Sequence, residues 1–528
     1  MSALLDIEVR RHEYQAPPQH HIPASKPAAG WTSYLPSWNP SAGSTRSPGG
    51  DKRLASRGTS SSSNDRQNST RKAESAVASR KDIAGFRNPW PSWHEPSKAE
   101  IWRALEWGEE TDPCIEVATA RLRASSDSTS SSSTSRVSNN KLPTSAKKQA
   151  AQLLCVEKPD FRFDHQRDRA KTTWLGHAGV LIQLPPLKQG DRPARCLFDP
   201  MFSMRSSPVQ TAGPRRSYAP PCEVEDLPEI DLVMISHNHY DHLDFSTIMA
   251  LWKHNRETVR FIVPLGNRRW FIECGVSEDR VTELDWWDEI LIRPQQAEAG
   301  VWPLKIACTP AQHNSGRSGF DANATLWSSW YLEHPGAAAK PYRIYFAGDT
   351  GYQFHDSPGW PPSPASSKPK GQPAARVDDD SIQSKHPVCP AFKDITNRLG
   401  RPHLLLLPVS VGATYDFFRN FSSLPDSVNP IPRHSPGVTA HNHMPPWDAV
   451  RVLKAMTADV SSDNEPPVAV AMHWGTFVTE PVEVLKTLGQ LEWACEAHGV
   501  EFARSLPKTS PRDQACFLAL NHGQSVAT

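Results

Sequence analysis

Four polar residues within six positions, His237, His239, Asp241 and His242, are of the types that bind metal ions. They directly follow an apolar run at residues 230–235, which indicates a buried strand. His237 and His239 are two residues apart, so in extended backbone they project to the same side, whereas Asp241 and His242 lie just beyond and can face a second ion. A lone His-x-His is weak evidence, since a single histidine after a strand is more often a hydrogen-bonded core or surface residue.

Three further candidate ligands also follow apolar runs. His313 follows residues 304–309, Asp349 follows residues 342–346 and His473 follows residues 468–472. Side chains at strand ends can converge at one edge of a sheet assembly. Five imidazoles and two carboxylates suit two borderline-soft divalent ions better than one, and zinc is the natural choice. We therefore predict a site for two Zn²⁺ per chain, formed by His237, His239, Asp241, His242, His313, Asp349 and His473.

A site for two zinc ions predicts that the protein is a hydrolase. Two divalent ions lower the pKa of a shared water toward neutrality and neutralise charge that develops on phosphate oxygens. The water can then attack phosphorus in line, and no covalent intermediate is required. Asp241 and Asp349 could orient this water as well as bind metal, although their role as ligands makes them weak general bases.

The elements that must position these residues are a mixture of strands and helices. Helical patterns span residues 447–456 and 481–498, and the second ends at Gly499. Strands mixed with helices predict an α/β fold class. The apolar runs that predict strands are residues 171–184, 196–198, 230–235, 261–264, 304–309, 342–346, 404–407 and 468–472.

Composition predicts one main domain with polar interruptions. The 528 residues include 49 prolines and several serine runs, which are too polar to bury a core of their own. We predict a disordered tail at 1–84, a segment at 85–122 that packs on the main domain through a short helix near 101–107, and a Ser-rich insertion at 123–150. The main domain is predicted at 151–525, with insertions near 356–388 and 421–439.

Charge and cysteine content limit the partners and the compartment. Lys and Arg total 58 against 57 for Asp and Glu, so no global field attracts nucleic acid, and none is predicted as a partner. The nine dispersed cysteines favour reduced thiols inside the cell. Charges near the N-terminus argue against a signal peptide. No window approaches the roughly 18 apolar residues that cross a bilayer. We expect a cytoplasmic protein, or one peripherally associated with internal membranes, and not a secreted one.

Beyond these patterns, the sequence resembles the metallo-β-lactamase superfamily and, within it, the N-acylphosphatidylethanolamine-hydrolysing phospholipases D. The resemblance covers nearly all of the chain except the tail and the insertions. The segments that carry it are residues 88–93, 174–178, 199–203, 235–244, 263–266, 283–287, 346–352 and 473–477.

The resemblance implies an αβ/βα sandwich with a two-zinc site and hydrolysis of N-acylphosphatidylethanolamine to an N-acylethanolamine and phosphatidic acid. It implies a phospholipid substrate, a peripheral membrane surface and a homodimer as partners. The insertions after Tyr352 and Phe421 depart from the family's pattern and lie near predicted active-site loops. Substrate entrance and fine specificity therefore do not follow from the resemblance. One ion would be held by His237, His239 and His313, the other by Asp241, His242 and His473, with Asp349 between them.

Several residues near the predicted site have two interpretations. His443 matches a family position where it would donate a hydrogen bond to the phosphate or leaving oxygen, which makes Asp241, Asp349 and His443 the predicted catalytic residues. The neighbouring His441 is the alternative, and either could be a loop histidine beside the proline-rich insertion.

Asp199 and His177 could orient ligand side chains, or they could be buried residues that fix strand ends. Tryptophans at 90, 93, 286 and 287 would suit a lipid interface, although most tryptophans are expected in the core.

Two other functions stay open from the residues alone. The same metal pair serves hydrolysis of other esters, lactones or cyclic phosphates. A non-catalytic lipid-binding or scaffold protein, with its insertions recruiting partners, is the other alternative, and the intact ligand set argues against it.

Overall fold

We analysed a computed structural model of the chain. It describes residues 5–24, 83–108, 110–129, 145–164, 169–186, 191–294, 303–335, 341–356, 360–361, 385–410, 419, 429–458, 465–478, 480–506 and 513–528.

Within these residues, two large sheets contain most of the strands. The first sheet has the spatial order β1 (Leu5–Arg10), β11 (Glu289–Pro294), β12 (Leu304–Thr309), β13 (Ser329–His334), β14 (Tyr342–Phe346), β15 (Leu404–Pro408), β17 (Val468–Met472), β19 (Cys516–Leu518) and β18 (Glu501–Ala503). The second has the order β10 (Val281–Leu284), β9 (Arg260–Pro264), β8 (Leu232–Met234), β7 (Ala194–Phe198), β6 (Gly179–Leu184), β5 (Lys171–Gly176) and β20 (Ser525–Ala527).

Two short strand pairs and eight helices complete the described elements. The pairs are β2 (His21–Pro23) with β3 (Ile83–Phe86) and β4 (Leu105–Glu106) with β16 (Arg433–His434). The helices are α1 (Lys98–Arg103), α2 (Cys114–Thr129), α3 (Ala146–Leu153), α4 (Phe245–His254), α5 (Arg268–Glu273), α6 (Ala391–Leu399), α7 (Pro446–Thr457) and α8 (Val482–His498). Three-residue 3₁₀ helices cover Val224–Asp226, Glu278–Arg280 and Pro436–Val438.

The two sheets pack face to face, and helices cover their outer faces. Phe198 on β7 stacks on Phe346 on β14 at 4.6 Å between ring centroids, which joins the sheets in one core. Side chains alternate along each strand, so the neighbouring Leu197 faces the other way, into a second cluster with Leu251 of α4 and Phe271 of α5. The α/β prediction is confirmed, and the layers form the αβ/βα sandwich that the resemblance implies.

Within the segment at 85–122, helices α1 and α2 lie beside the main domain. α2 lies along α8, where Arg121 forms an ion pair with Glu492 at 2.8 Å. The approach is close because Gly489 has no side chain: a Cβ there would lie 1.8 Å from the backbone oxygen of Cys114. The predicted helix near 101–107 begins earlier, at Lys98, because Ser97 and Glu100 form a capping box there.

The prediction that all of 1–84 is disordered is wrong for residues 5–24. β1 pairs antiparallel with β11, so it forms the edge of the first sheet. The Arg11 guanidinium donates a 2.7 Å hydrogen bond to the carboxylate of Asp288, and the Tyr14 hydroxyl donates one of 2.5 Å to the carbonyl of Trp286. Backbone pairing needs few apolar residues, which is why a polar, Pro-containing segment could form it. Residues 25–82 lie outside the described residues.

Two predicted insertions are also partly wrong. α2 continues to Thr129 and α3 begins at Ala146, so helices occupy both ends of 123–150. In the stretch 421–439, residues 433–439 are buried, and Gly437 packs against the backbone of His355. The insertion is predicted from its prolines, but Pro436 begins a buried 3₁₀ helix, because proline fits the first turn of a helix. Residues 130–144, 362–384 and 420–428 lie outside the described residues. The main domain extends past 525, since Thr528 bonds to Tyr342.

The tryptophans considered for a lipid interface have different surroundings. Trp286 is buried and stacks on Trp90 at 5.4 Å, so Trp286 belongs to the core. Trp287 is partly buried beneath the guanidinium of Arg398. No helix among the described residues is long and apolar enough to cross a bilayer.

Candidate metal centre

All seven predicted ligands lie at one edge of the sandwich, in the loops that follow β8, β12, β14 and β17. The first group consists of three imidazoles. The His237 Nε2 atom is 2.8 Å from His239 Nδ1, and His313 Nε2 is 3.2 and 3.3 Å from those two atoms. Nitrogens bound to one tetrahedral zinc at bond lengths of about 2.0–2.1 Å are about 3.3 Å apart. The group therefore has the spacing of a three-histidine metal site.

The second group contains Asp241, His242 and His473. Asp241 Oδ2 is 3.5 Å from the Nε2 atom of each histidine. Asp349 lies between the two groups: its carboxylate oxygens are 3.2 Å from His242 Nε2, 3.1 Å from His473 Nε2 and 3.7 Å from His313 Nε2. The structure thus brings all seven residues together, in the grouping implied by the resemblance.

Hydrogen bonds on the far side of the rings fix two of the ligand histidines. His242 Nδ1 donates to Asp199 Oδ2 at 2.8 Å, and His313 Nδ1 donates to the backbone carbonyl of Asn442 at 3.1 Å. Because Nδ1 is occupied as the donor in each ring, Nε2 is the atom that faces the centre and is the position for a metal ion.

Two serine hydroxyls hold two further rings. Ser236 Oγ donates to Asp199 Oδ2 at 2.5 Å and so can accept from His237 Nδ1 at 2.8 Å. Ser410 Oγ donates to the backbone carbonyl of His473 at 2.7 Å and accepts from Nδ1 of the same ring at 2.6 Å. Because each hydroxyl has only one hydrogen, its second bond must be one it accepts. The Nε2 atom of each ring is then directed at the centre.

The buried atoms at the centre fit a divalent cation. His242 Nε2, His473 Nε2 and Asp349 Oδ1 have no hydrogen-bond partner in the described part of the chain. Burial would raise the pKa of Asp349, but His242 and His473 hold that pKa well below its usual range, so the carboxylate is ionised. Burial lowers the pKa of His237 and His313 well below the usual histidine value, which keeps both neutral. Burial would lower the pKa of His242 and His473, but Asp349 and Asp241 raise it, to about 9 for His473, so a divalent cation would displace a proton from each of these two rings as it binds.

His443, rather than His441, faces the centre. His443 Nδ1 lies 3.7 Å from Asp349 Oδ2, and its ring is 5.0 Å from that of His313. Burial lowers the pKa of His443 to about 4 in spite of the nearby Asp349 charge, so the ring is neutral near pH 7. His441 points away and packs edge-on against Trp93 at 5.0 Å. The loop can approach this closely because Gly351 has no side chain: a Cβ there would lie 1.9 Å from the backbone carbon of His441.

Asp199 and His177, which have two interpretations from the sequence alone, both contact predicted ligands. Asp199 is fully buried and accepts hydrogen bonds from His242 and from both the backbone and the hydroxyl of Ser236. His177 Nε2 is 2.8 Å from Asp241 Oδ2, and burial lowers the pKa of His177 to about 3, so the neutral ring donates to the carboxylate. Each residue therefore holds the orientation of a predicted ligand.

The sequence reasoning missed Ser236, Ser410 and Asn442. Ser410 follows β15 just as the ligands follow their strands, so its position carried a usable signal. Ser236 precedes His237 directly and carried no signal from its residue type. Asn442 contributes a backbone carbonyl, which any residue could supply, so only the folded loop identifies it.

Comparisons with known proteins agree with this fold. A family model described as "Beta-lactamase superfamily domain" matches residues 194–358. An uncharacterised protein of Mycobacterium tuberculosis is 38% identical over 363 residues, which cover 69% of this chain and 73% of that protein.

Two characterised relatives match a shorter part. The N-acyl-phosphatidylethanolamine-hydrolyzing phospholipase D 1 of Caenorhabditis elegans is 35% identical over 36% of this chain and 49% of its own length. The mitochondrial enzyme of that name from Saccharomyces cerevisiae is 35% identical over 34% of each chain. The sandwich, the ligand cluster and these matches together show that the chain belongs to the metallo-β-lactamase superfamily and is a hydrolase of that fold.

Proposed function

We propose that this protein is a zinc-dependent phosphodiesterase of the phospholipase D type, which hydrolyses N-acylphosphatidylethanolamine to an N-acylethanolamine and phosphatidic acid. The observation that carries the proposal is the convergence of six ligand-type side chains around a seventh, Asp349, with four histidines held by hydrogen bonds on the far side of their rings. The worm and yeast relatives with that named activity support the choice of substrate.

The ligands divide into two positions for zinc. His237, His239 and His313 would hold one Zn²⁺. Asp241, His242 and His473 would hold the other, with Asp349 shared between them. When bound, two such ions supply a nucleophilic water at neutral pH and neutralise charge on the phosphate.

The remaining chemistry belongs to the chain's own residues. His443 is neutral and next to Asp349, so it can donate a hydrogen bond to a phosphate or leaving oxygen at the centre. Asp199 and His177 keep His242 and Asp241 in place, which limits the reorganisation that the reaction requires. Asp349 and Asp241 are anchored by imidazoles and orient the reactants rather than transfer protons.

The substrate would be taken from a membrane surface, because its acyl chains keep it in a bilayer. The protein would then be peripherally associated, and the homodimer implied by the family resemblance stays a prediction. Solution mass measured by light scattering tests the dimer: a monomer at micromolar concentration would contradict it.

Product identification tests the proposed reaction. The purified full chain, loaded with Zn²⁺, is incubated with vesicles containing N-acylphosphatidylethanolamine labelled in the N-acyl chain, and products are separated by mass. We expect labelled N-acylethanolamine and equimolar phosphatidic acid. Asp349→Asn, which removes the shared carboxylate charge, should abolish both products.

Other products would redirect or refute the proposal. Absence of phosphatidic acid with zinc-loaded protein contradicts the phospholipase D reaction. Turnover of a carboxylic ester, a lactone or a cyclic phosphate under the same conditions, with the same loss in Asp349→Asn, would assign the centre to that substrate class instead.

A further inference from the structure

A second group of ligand-type side chains lies outside the metal centre, between the segment around α1 and the segment before α6. It consists of His94, Glu100 and His386. One ligand atom from each lies within 4.8 Å of the others, and the ring centroids of His94 and His386 are 4.5 Å apart. Residues separated by 286 positions are thus brought to one place, and none of them contributes to the centre described above.

The spacing within this group differs from that of a strong hydrogen-bonded pair. His94 Nε2 is 3.3 and 3.2 Å from the two carboxylate oxygens of Glu100, whereas a charge-assisted N–H···O bond is about 2.7–2.9 Å long. His20 and Asp285 elsewhere in the protein form such a bond at 2.8 Å. Donor atoms that share a tetrahedral zinc at about 2.0–2.2 Å lie about 3.3–3.5 Å apart. The His94–Glu100 distances therefore also match those of two atoms that bind one cation.

The three side chains are held in place before any ion binds. The backbone N–H and the hydroxyl of Ser97 both donate to Glu100 Oε2 at 2.7 Å, which fixes the carboxylate. Phe354 packs against the rings of His94 at 4.2 Å and His386 at 4.7 Å. The pair is also reachable from solvent, since 31% of the His94 side chain and 15% of the Glu100 side chain are exposed.

We propose that His94, Glu100 and His386 form an additional site for a borderline divalent cation such as Zn²⁺, separate from the seven-residue centre. Two imidazoles and one carboxylate are a ligand set that zinc accepts. A small cleft lined by Glu100, Arg103, Phe354 and Asp356 adjoins the carboxylate. The ion would tie α1 to the chain before α6. Phe354 also approaches His441, two residues from His443, so this tie lies beside the active-site loop.

Metal counting on glutamine variants tests the site. Wild type, His94→Gln, His386→Gln and His254→Gln are stripped of metal and dialysed to equilibrium over a series of free Zn²⁺ concentrations, and bound zinc is measured per chain. His254→Gln is the matched control, because His254 forms a surface pair with Glu225 at 3.1 Å. Thermal melting in chelator checks that each variant folds. If His386→Gln does not fold, His386→Asn is used in its place.

We expect His94→Gln and His386→Gln each to bind one zinc fewer than wild type, or to bind it at least about tenfold more weakly, since loss of a supporting contact alone changes metal affinity by about 10- to 100-fold. His254→Gln should match wild type. Equal zinc binding by all four proteins, loss in only one of the two cluster variants, or an equal loss in His254→Gln would overturn the proposal. Because the readout is a difference in bound zinc, it does not depend on which substrate the protein hydrolyses.

Discussion

Replacing Asp199 by Asn tests whether a single buried carboxylate organises both halves of the metal centre. Asp199 accepts three hydrogen bonds: from the Ser236 backbone N–H at 2.7 Å, the Ser236 hydroxyl at 2.5 Å and His242 Nδ1 at 2.8 Å. The Ser236 hydroxyl in turn accepts from His237. One ligand in each group therefore depends on Asp199, although Asp199 itself lies outside both groups.

The substitution changes hydrogen bonding with little change in shape. Asp199 has a positive φ of 37°, which Asn tolerates about as well as Asp, so the backbone should keep its conformation. The Asn amide has one acceptor oxygen, and its NH₂ group must then face either the Ser236 N–H or the His242 Nδ1–H. Either orientation places two donors against each other, and an unsatisfied buried donor costs about 1–3 kcal/mol.

We expect Asp199→Asn to weaken Zn²⁺ binding by about 10- to 100-fold, which corresponds to about 1.4–2.7 kcal/mol, since partners that orient ligand histidines have effects of this size. Competition with a chromophoric chelator measures the affinity. Urea unfolding in excess chelator measures the stability of the metal-free protein separately.

Asp231→Asn is the matched control. Asp231 is also buried and accepts from Arg192 at 2.6 Å and from the Arg195 backbone at 2.9 Å. It lies just before β8, at the opposite end of the sheet from the metal centre, so its loss should lower stability without changing zinc affinity. Wild-type zinc affinity in Asp199→Asn, or equal losses of affinity in both variants, would refute the reasoning.

Three further predictions concern other parts of the molecule. His443→Ala should reduce turnover by about 10²- to 10⁴-fold, the usual range for a lost proton-transfer or hydrogen-bonding group, while bound zinc measured per chain stays at the wild-type level; unchanged turnover would remove His443 from the reaction. Burial would raise the pKa of Asp285, but hydrogen bonds from His20 and His21 lower it from 3.8 to about 2, so Asp285 contributes about 2 kcal/mol above pH 4 that is lost as the pH falls toward 2. In Asp285→Asn, the urea concentration at the unfolding midpoint should depend less on pH between pH 4 and pH 2 than in wild type. The same pH dependence in both proteins would contradict this. Deleting residues 1–24 removes β1 and exposes the edge of β11, so the free energy of unfolding in urea should fall by about 2–4 kcal/mol, and an unchanged midpoint would show that the segment does not stabilise the fold.

Sequence patterns identified the elements next to the candidate ligands because those signals are local. β12 and β17 have the predicted bounds, each strand is followed by its ligand, and α8 ends at Gly499, whose φ of 67° suits glycine. A short continuous apolar run and a left-handed residue at a helix end are properties of a few adjacent residues. They can be read without knowing the rest of the fold.

Sequence signals failed in two places: at the tight turn of a hairpin and where a strand pairs with a distant segment. Residues 171–184 were predicted as one apolar run, but they form the hairpin β5–β6, with His177 at the turn at a φ of 51°. β1 was missed because its partner, β11, lies nearly 280 positions away, and edge pairing relies on backbone groups that every residue carries.

The sequence by itself determined the types and order of the seven predicted ligands, since apolar runs and residue types can be recognised in short stretches of chain. Only the tertiary structure decided that His443 and not His441 faces Asp349, that Asp199 and Ser410 hold ligand rings, and that His94 and His386 meet at Glu100. Each of these depends on atoms within 6 Å that are far apart along the chain, and their meeting is set by how the sheets, loops and helices pack.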